Sequence, residues 1–342
     1  MGRWCATVVI GLVLLTSVHG YPQSSYTITV LGLLTPSDVN DDGVVLGVSA
    51  GKPIMYKDGV LMPMQDLGYG GRPTHWSEAK GLVAVGHVFL STGVSAAAQW
   101  DASGALTLLY TRDQANGSVA NGQNTHGVTS GFGGRFDAAA GKPLSSAMRW
   151  ANPQAVAFLN VTDGQWSEST GIDTQGRVYG IDESSQAVVW KPDGSKTVIK
   201  GAPGQWTSLV AVTTTGVAVG SSTAKLANGE FVSYPIKATL AHGFIVLPVL
   251  STGAQCSPVD INKALEIVGM CFLPDGSNVP VLWSNGRIRR LPIEAPAGSR
   301  TLVLTGMNDD GELVGSVRVD SGFQVLTYGL LFTPQSDQVV SR

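Results

Sequence analysis

Short runs in which apolar and polar residues alternate cover most of this chain, and each run stops at a turn signal. Two stretches show the pattern most plainly: Val39-Asn40-Asp41-Asp42-Gly43-Val44-Val45-Leu46-Gly47 and Met307-Asn308-Asp309-Asp310-Gly311-Glu312-Leu313-Val314-Gly315. Each reads as an apolar residue, a polar turn, a glycine, and then Val or Leu running into a second glycine. Asn and Asp tolerate left-handed backbone and accept hydrogen bonds from their own main chain, while glycine supplies positive φ. The flanking period of two is that of a half-buried strand, so the predicted element is a hairpin. Further copies end at Gly180 and Gly269, and weaker ones at Gly86, Gly131 and Gly220. The closing glycines at 47, 86, 131, 180, 220, 269 and 315 stand 39 to 49 residues apart.

A second hairpin follows in the repeat, built around an aromatic residue: Tyr56-Lys57-Asp58-Gly59, Trp100-Asp101-Ala102-Ser103-Gly104, Trp190-Lys191-Pro192-Asp193-Gly194 and Trp283-Ser284-Asn285-Gly286. Trp150 holds the same place ahead of a turn that carries Pro153. Two hairpins make four strands, and a period of about 40 to 50 residues matches one propeller blade. The expectation is an all-β chain of seven four-stranded blades closed into a β-propeller. No unit of this size covers both faces of its sheet, so neighbours must stack and the ring must close. Residues 25–31 read as a strand ahead of the first turn and the last copy is short, so the N-terminal strand is expected to complete the final blade. For the recurring tryptophan, packing between sheets is the simple reading and sugar stacking the sharper one.

These units resemble the bacterial extracellular family named for its HAF repeat. Asp66-Leu67-Gly68-Tyr69-Gly70-Gly71 is similar to the opening element of that repeat, the Asn40 and Asn308 turns to its second, and His242-Gly243-Phe244 to its third. The similarity runs through nearly all of the chain beyond residue 20, but most units lack the histidine. It implies an exported, propeller-like fold and carries over no catalytic residue.

Composition and short motifs change this picture in four places. Met1-Gly2-Arg3, the apolar run 6–15 and the small-residue end Val18-His19-Gly20 have the order of a secretory signal peptide, so residues 1–20 are expected to be removed. Residues 21–342 then form one exported domain, extracellular or periplasmic, without a membrane span and expected to be a monomer. Removal leaves Cys256 and Cys271 as an even pair in an oxidising compartment, where a disulfide is expected, with two free buried thiols as the alternative. Asn116-Gly117-Ser118 and Asn160-Val161-Thr162 are acceptor triplets for glycosylation. The net charge of -3, with no basic cluster beyond Arg287, Arg289 and Arg290, argues against nucleic acid as a partner.

Tests for chemistry return little. Residues 38–43 fit the start of a calcium loop, but Ser49 stands where the bidentate acid belongs. Gly47-Val48-Ser49-Ala50-Gly51 matches a nucleophile-elbow pattern with no helical period behind it. His75, His87, His126 and His242 show no metal-ligand spacing, and no cofactor is expected. If the strand ending at each closing glycine is the innermost of its blade, Ser49, His87, Asp182, Ser222 and the region of Met270 face the channel mouth. His87 with Asp182 is then the first candidate pair for ligand binding, against the plain reading of ordinary rim residues. The expected function is a binding module for a carbohydrate or protein ligand. The alternative is a glycan-active lyase or hydrolase using acids such as Asp182 or Glu183 at that mouth.

Overall fold

The computed structural model describes residues 25–335, apart from 78, 112–115, 138–140, 160–164 and 323. The expected signal peptide and Asn160 lie outside the described residues. Within them the strands form seven antiparallel sheets of four, and no helix is long and apolar enough to cross a membrane. The chain is a seven-bladed β-propeller. Blades 1 to 6 span 35–63, 71–108, 118–158, 167–198, 206–246 and 255–290, each with its strands in sequence order. Blade 7 takes three strands from 299–334 and its outermost strand, Tyr26–Gly32, from the other end of the chain. Tyr26 lies opposite Pro334 and Ile28 opposite Phe332 in that closure, as expected.

Buried side chains fall into seven separate clusters, one between each pair of neighbouring blades. Leu46 and Met55 of blade 1 pack on Ala84 and Trp100 of blade 2, for instance, and Tyr179 and Val189 of blade 4 on Leu209 and Ala238 of blade 5. A chain of this length therefore needs no single large core. Trp100, Trp150, Trp190 and Trp283 are the largest fully buried side chains, which rules them out as sugar platforms. The indoles of Trp100, Trp150 and Trp283 donate to the carbonyls of Gln65, Tyr110 and Pro248, each in the linker leaving the preceding blade. The ring thus fills the gap between sheets and ties down the crossing chain.

Each of the seven first strands carries a β-bulge at one place, opposite the closing glycine of the second strand. Pro36 pairs with Gly47 and Asp38 with Leu46, leaving Ser37 as the extra residue; Leu209, Gly220, Ala211 and Val219 repeat the arrangement in blade 5. The bulge pushes a carbonyl of the first strand toward the second. A Cβ on any of the seven glycines would lie within 3.0 Å of that carbonyl oxygen, as at Gly180 with Glu168 or Gly220 with Ser208. The regular spacing of these glycines records this close approach, not a turn.

The hairpins themselves form as the residues predict. Asn40 Oδ1 accepts from the amide of Val44 at 2.9 Å, and Asn124, Asp173, Asn262 and Asn308 repeat the bond. Asp66 caps the link into blade 2 by accepting from the amides of Gly68 and Gly70 and from Lys52. Cys256 and Cys271 stand directly opposite each other on the first two strands of blade 6 and are joined as a disulfide.

Candidate functional site

The first strand of each blade, not the second, lines the axis. First strands touch one another around the ring, and a cavity of about 640 Å³ opens between them at the face that carries the Asn-type turns. This overturns the premise behind His87 and Asp182. Both sit on second strands, as do Ser49 and Ser222, and none of the four lines the cavity. Ser49 donates to the carbonyl of Leu33 and leads straight into a tight turn at Ala50 and Gly51, both with positive φ. His87 is partly buried beside Phe89, and burial, then the nearby Arg72, lowers its pKa. Asp182 is buried in an ion pair with Lys196 at 2.8 Å. The Ser222 hydroxyl, fully buried, accepts from the amide of Gly204. The structure brings no two of these candidates together.

Asn116 lies just ahead of the first strand of blade 3, and the Ser118 hydroxyl of its triplet is buried, accepting from the amide of Ala97. In the turn that fits only the start of a calcium loop, the Asn40 carboxamide is engaged by the amides of Asp42 and Val44.

The bulged residue of every blade lines the cavity, as does the residue after it in blades 1 to 6, and the start of the following turn completes the wall in several blades. Reading the bulged residue around the ring gives Ser37, Thr74, Asn121, Thr170, Val210, Val259 and Thr305. In blades 2 to 4 this side chain reaches the next blade and donates to its carbonyl: Thr74 to Ala120 at 2.7 Å, Asn121 to Ser169, and Thr170 to Leu209 at 3.2 Å. Blades 1 and 6 use the following position instead. Asp38 accepts from the amides of Val39 at 2.8 Å and, across the blade boundary, Trp76 at 3.0 Å. Asp260 does the same with Ile261 at 2.8 Å and Met307 of blade 7 at 2.9 Å.

These two aspartates concentrate charge in one sector. His75, the blade 2 residue at the same position, places Nδ1 2.8 Å from Asp38 Oδ2. Gly306 of blade 7 stands between the two acids in ring order, and Asp38 packs against it, with Oδ1 3.0 Å from where a Cβ would lie. Burial, reinforced by the negative charge of Asp38, pushes the Asp260 carboxyl up to about 7, while His75 and the two amides act in the other direction. Above them, Lys263 pairs with Asp309 at 2.6 Å, and its amide donates to the same carboxylate. A carboxyl that titrates near neutrality beside a second carboxylate can hold a cation or exchange a proton.

Sequence reasoning missed Asp38, His75 and Asp260 as a group because its choice of innermost strand was one hairpin arm off. The signal was present: Asp38 and Asp260 both stand nine residues before a closing glycine.

No protein-family model matches this chain, and no curated protein is similar to it. Solved structures do match. A streptogramin B lyase structure aligns at a TM-score of 0.51 and 12% identity, covering 90% of this chain and 97% of its own. A chain of the mitotic checkpoint complex aligns at 0.56 and 14%, covering 96% and 100%, and YCF48 bound to the D1 peptide at 0.55 and 9%, covering 95% and 100%. The shared property is the fold. At such identities the likeness carries no residue role, and enzymes and binding proteins stand side by side among the matches.

Proposed function

We propose that this chain is an exported binding module that takes a carbohydrate or protein ligand on its rigid ring, with the turn-face cavity receiving a cationic or hydrogen-bond-donating group. One observation carries the reading: the described chain's axial cavity is walled by first strands, and its charged sector offers Asp38 and Asp260 on either side of a glycine. Ligand sites are typically concave, with a few polar groups set in a mostly pre-formed wall, and this cavity has that form. The HAF-like turns, the expected leader and the paired cysteines support export and belong to the same proposal. Among the neighbours, YCF48 was solved with a peptide bound, a further reason to test protein ligands.

The test is a thermal-shift screen of the protein against soluble glycans and peptides with free amino groups. A ligand bound only by the folded state raises apparent stability by RT ln(1 + [L]/Kd). A shift is expected from ligands that carry a free amino group, and it should vanish in Asp260→Asn and weaken in Asp38→Asn; a neutral glycan is not expected to depend on either acid. A shift that survives both substitutions would move the site elsewhere.

A second reading, a glycan-active lyase or hydrolase, is favoured by the Asp260 carboxyl staying protonated toward neutral pH, as a general acid must. The acids in question are Asp38 and Asp260 in place of Asp182. Glycan turnover with a rate that falls above about pH 7 and is lost in Asp260→Asn would select it.

A further inference from the structure

Blade 5 departs from the repeat. Thr239 occupies the place that tryptophan holds in blades 2, 3, 4 and 6, while the blade's second and third strands, Val217–Lys225 and Phe231–Thr239, are long like those of blade 3. They extend past the ring on the face opposite the cavity. There Trp206, the first residue of strand Trp206–Val212, is 43% exposed and Phe231 is 58% exposed. The cross-strand register explains their meeting. Trp206 lies opposite Thr223, Thr223 opposite Ser233, and Lys225 opposite Phe231 two residues further along, so all five side chains leave one face of the sheet. The two rings sit 5.8 Å apart between centroids, with the Lys225 ammonium 5.8 Å from the Phe231 ring. The Thr223 and Ser233 hydroxyls flank them at 3.5 Å from each other.

The motif around Trp206 occurs twice. Gly164-Gln165-Trp166-Ser167 and Gly204-Gln205-Trp206-Thr207 place a tryptophan three residues before the bulge partner in successive blades, and Trp166 is also partly exposed. In blade 6, Phe272 takes the position of Thr223 and is 54% exposed. Aromatic rings therefore continue over blades 4 to 6 on this face.

We propose that the foot of blades 4 to 6 binds an oligosaccharide of pyranose rings, with Trp206 and Phe231 stacking on one ring and Trp166 and Phe272 serving its neighbours. A pyranose presents a face of C–H bonds and a rim of hydroxyls, which matches apolar rings bordered by Thr223, Ser233, Gln205 and Lys225. Size argues against a protein partner: even with Trp166 and Phe272 included, the exposed aromatic surface amounts to roughly 400 Å². A stable protein interface covers about 800 Å² on each side. This site does not depend on the cavity reading above.

The experiment titrates the full chain with cellohexaose, chitohexaose and mannohexaose, following indole fluorescence and heat. At least one should bind, and Trp206→Ala and Phe231→Ala should each weaken it about tenfold or more, with Trp206→Phe retaining part of the affinity. Both side chains are exposed, so unchanged melting temperatures would separate lost binding from lost folding. Asp260→Asn should leave the affinity as it was. Failure of all three sugars to bind overturns the proposal, as does binding that persists in Trp206→Ala or disappears in Asp260→Asn; the last would place the sugar in the cavity.

Discussion

Blades 2 to 4 and blades 6 and 1 solve the same packing problem with opposite chemistry. In the first group a neutral side chain at the bulge donates to a carbonyl of the next blade; in the second an aspartate one residue later accepts from an amide of the next blade. Both bonds cross a blade boundary beside the axis. Only the second kind leaves charge there, and with Gly122 and Gly171 at the matching positions of blades 3 and 4, the cavity is acidic on one side and neutral on the other. A clasp made with a carboxylate thus brings charge to the cavity wall, whereas one made with a hydroxyl or carboxamide lines the same wall without it.

The largest expected effect strikes both groups alike. Gly180→Ala forces a methyl against the Glu168 carbonyl and should cost about 3 kcal/mol or more in urea unfolding, since the obstacle is backbone that cannot step aside. The nearby Gly171→Ala, whose Cβ would meet the Val212 side chain at 3.2 Å, should cost under about 1 kcal/mol. Equal losses would mean that the bulge does not hold the closing glycines in place.

Asp38→Ala should come next. It leaves the amides of Val39 and Trp76 without their acceptor, and a loss of about 2 to 3 kcal/mol in the same assay is expected. A negligible loss would reduce the charged clasp to decoration.

Third is a difference in pH response. The folded chain holds the Asp260 proton to about pH 7 while the unfolded chain releases it near its ordinary 3.8, so between those values the folded state binds more protons. Stability should therefore be fullest below about pH 4 as regards this group, fall as pH rises toward 7, and level off above it. Asp260→Asn should flatten that slope in chemical denaturation at several pH values. A slope unchanged by the substitution would assign the response to another group.

The smallest effect belongs to the neutral sector. Thr170→Val removes one hydrogen bond to Leu209 and should cost about 1 kcal/mol, the same at pH 5 and pH 8. A pH-dependent cost would blur the contrast between the two kinds of clasp.

Much of the architecture is legible in the residues. Period-two alternation, Asn or Asp turns and a repeat of 39 to 49 residues lead to four-stranded units, their number and the closing N-terminal strand. The candidate site is less so. His87 and Asp182 are polar residues near a repeat landmark, and nothing local distinguishes the two arms of a hairpin as inner or outer. Trp206 shares its residue type with four buried tryptophans, and its different role follows from its place at the foot of a strand.

By itself, the order of residues determined what is local: where strands run, where they reverse, and how often the unit recurs, because turn chemistry and side-chain period act over a few residues. Only the closed ring decided which arm faces the axis, which aspartates meet across a glycine, and which aromatic rings stay wet. Those outcomes depend on neighbours some 40 residues away or at the other end of the chain, and on a desolvation that exists only once seven sheets surround the same space.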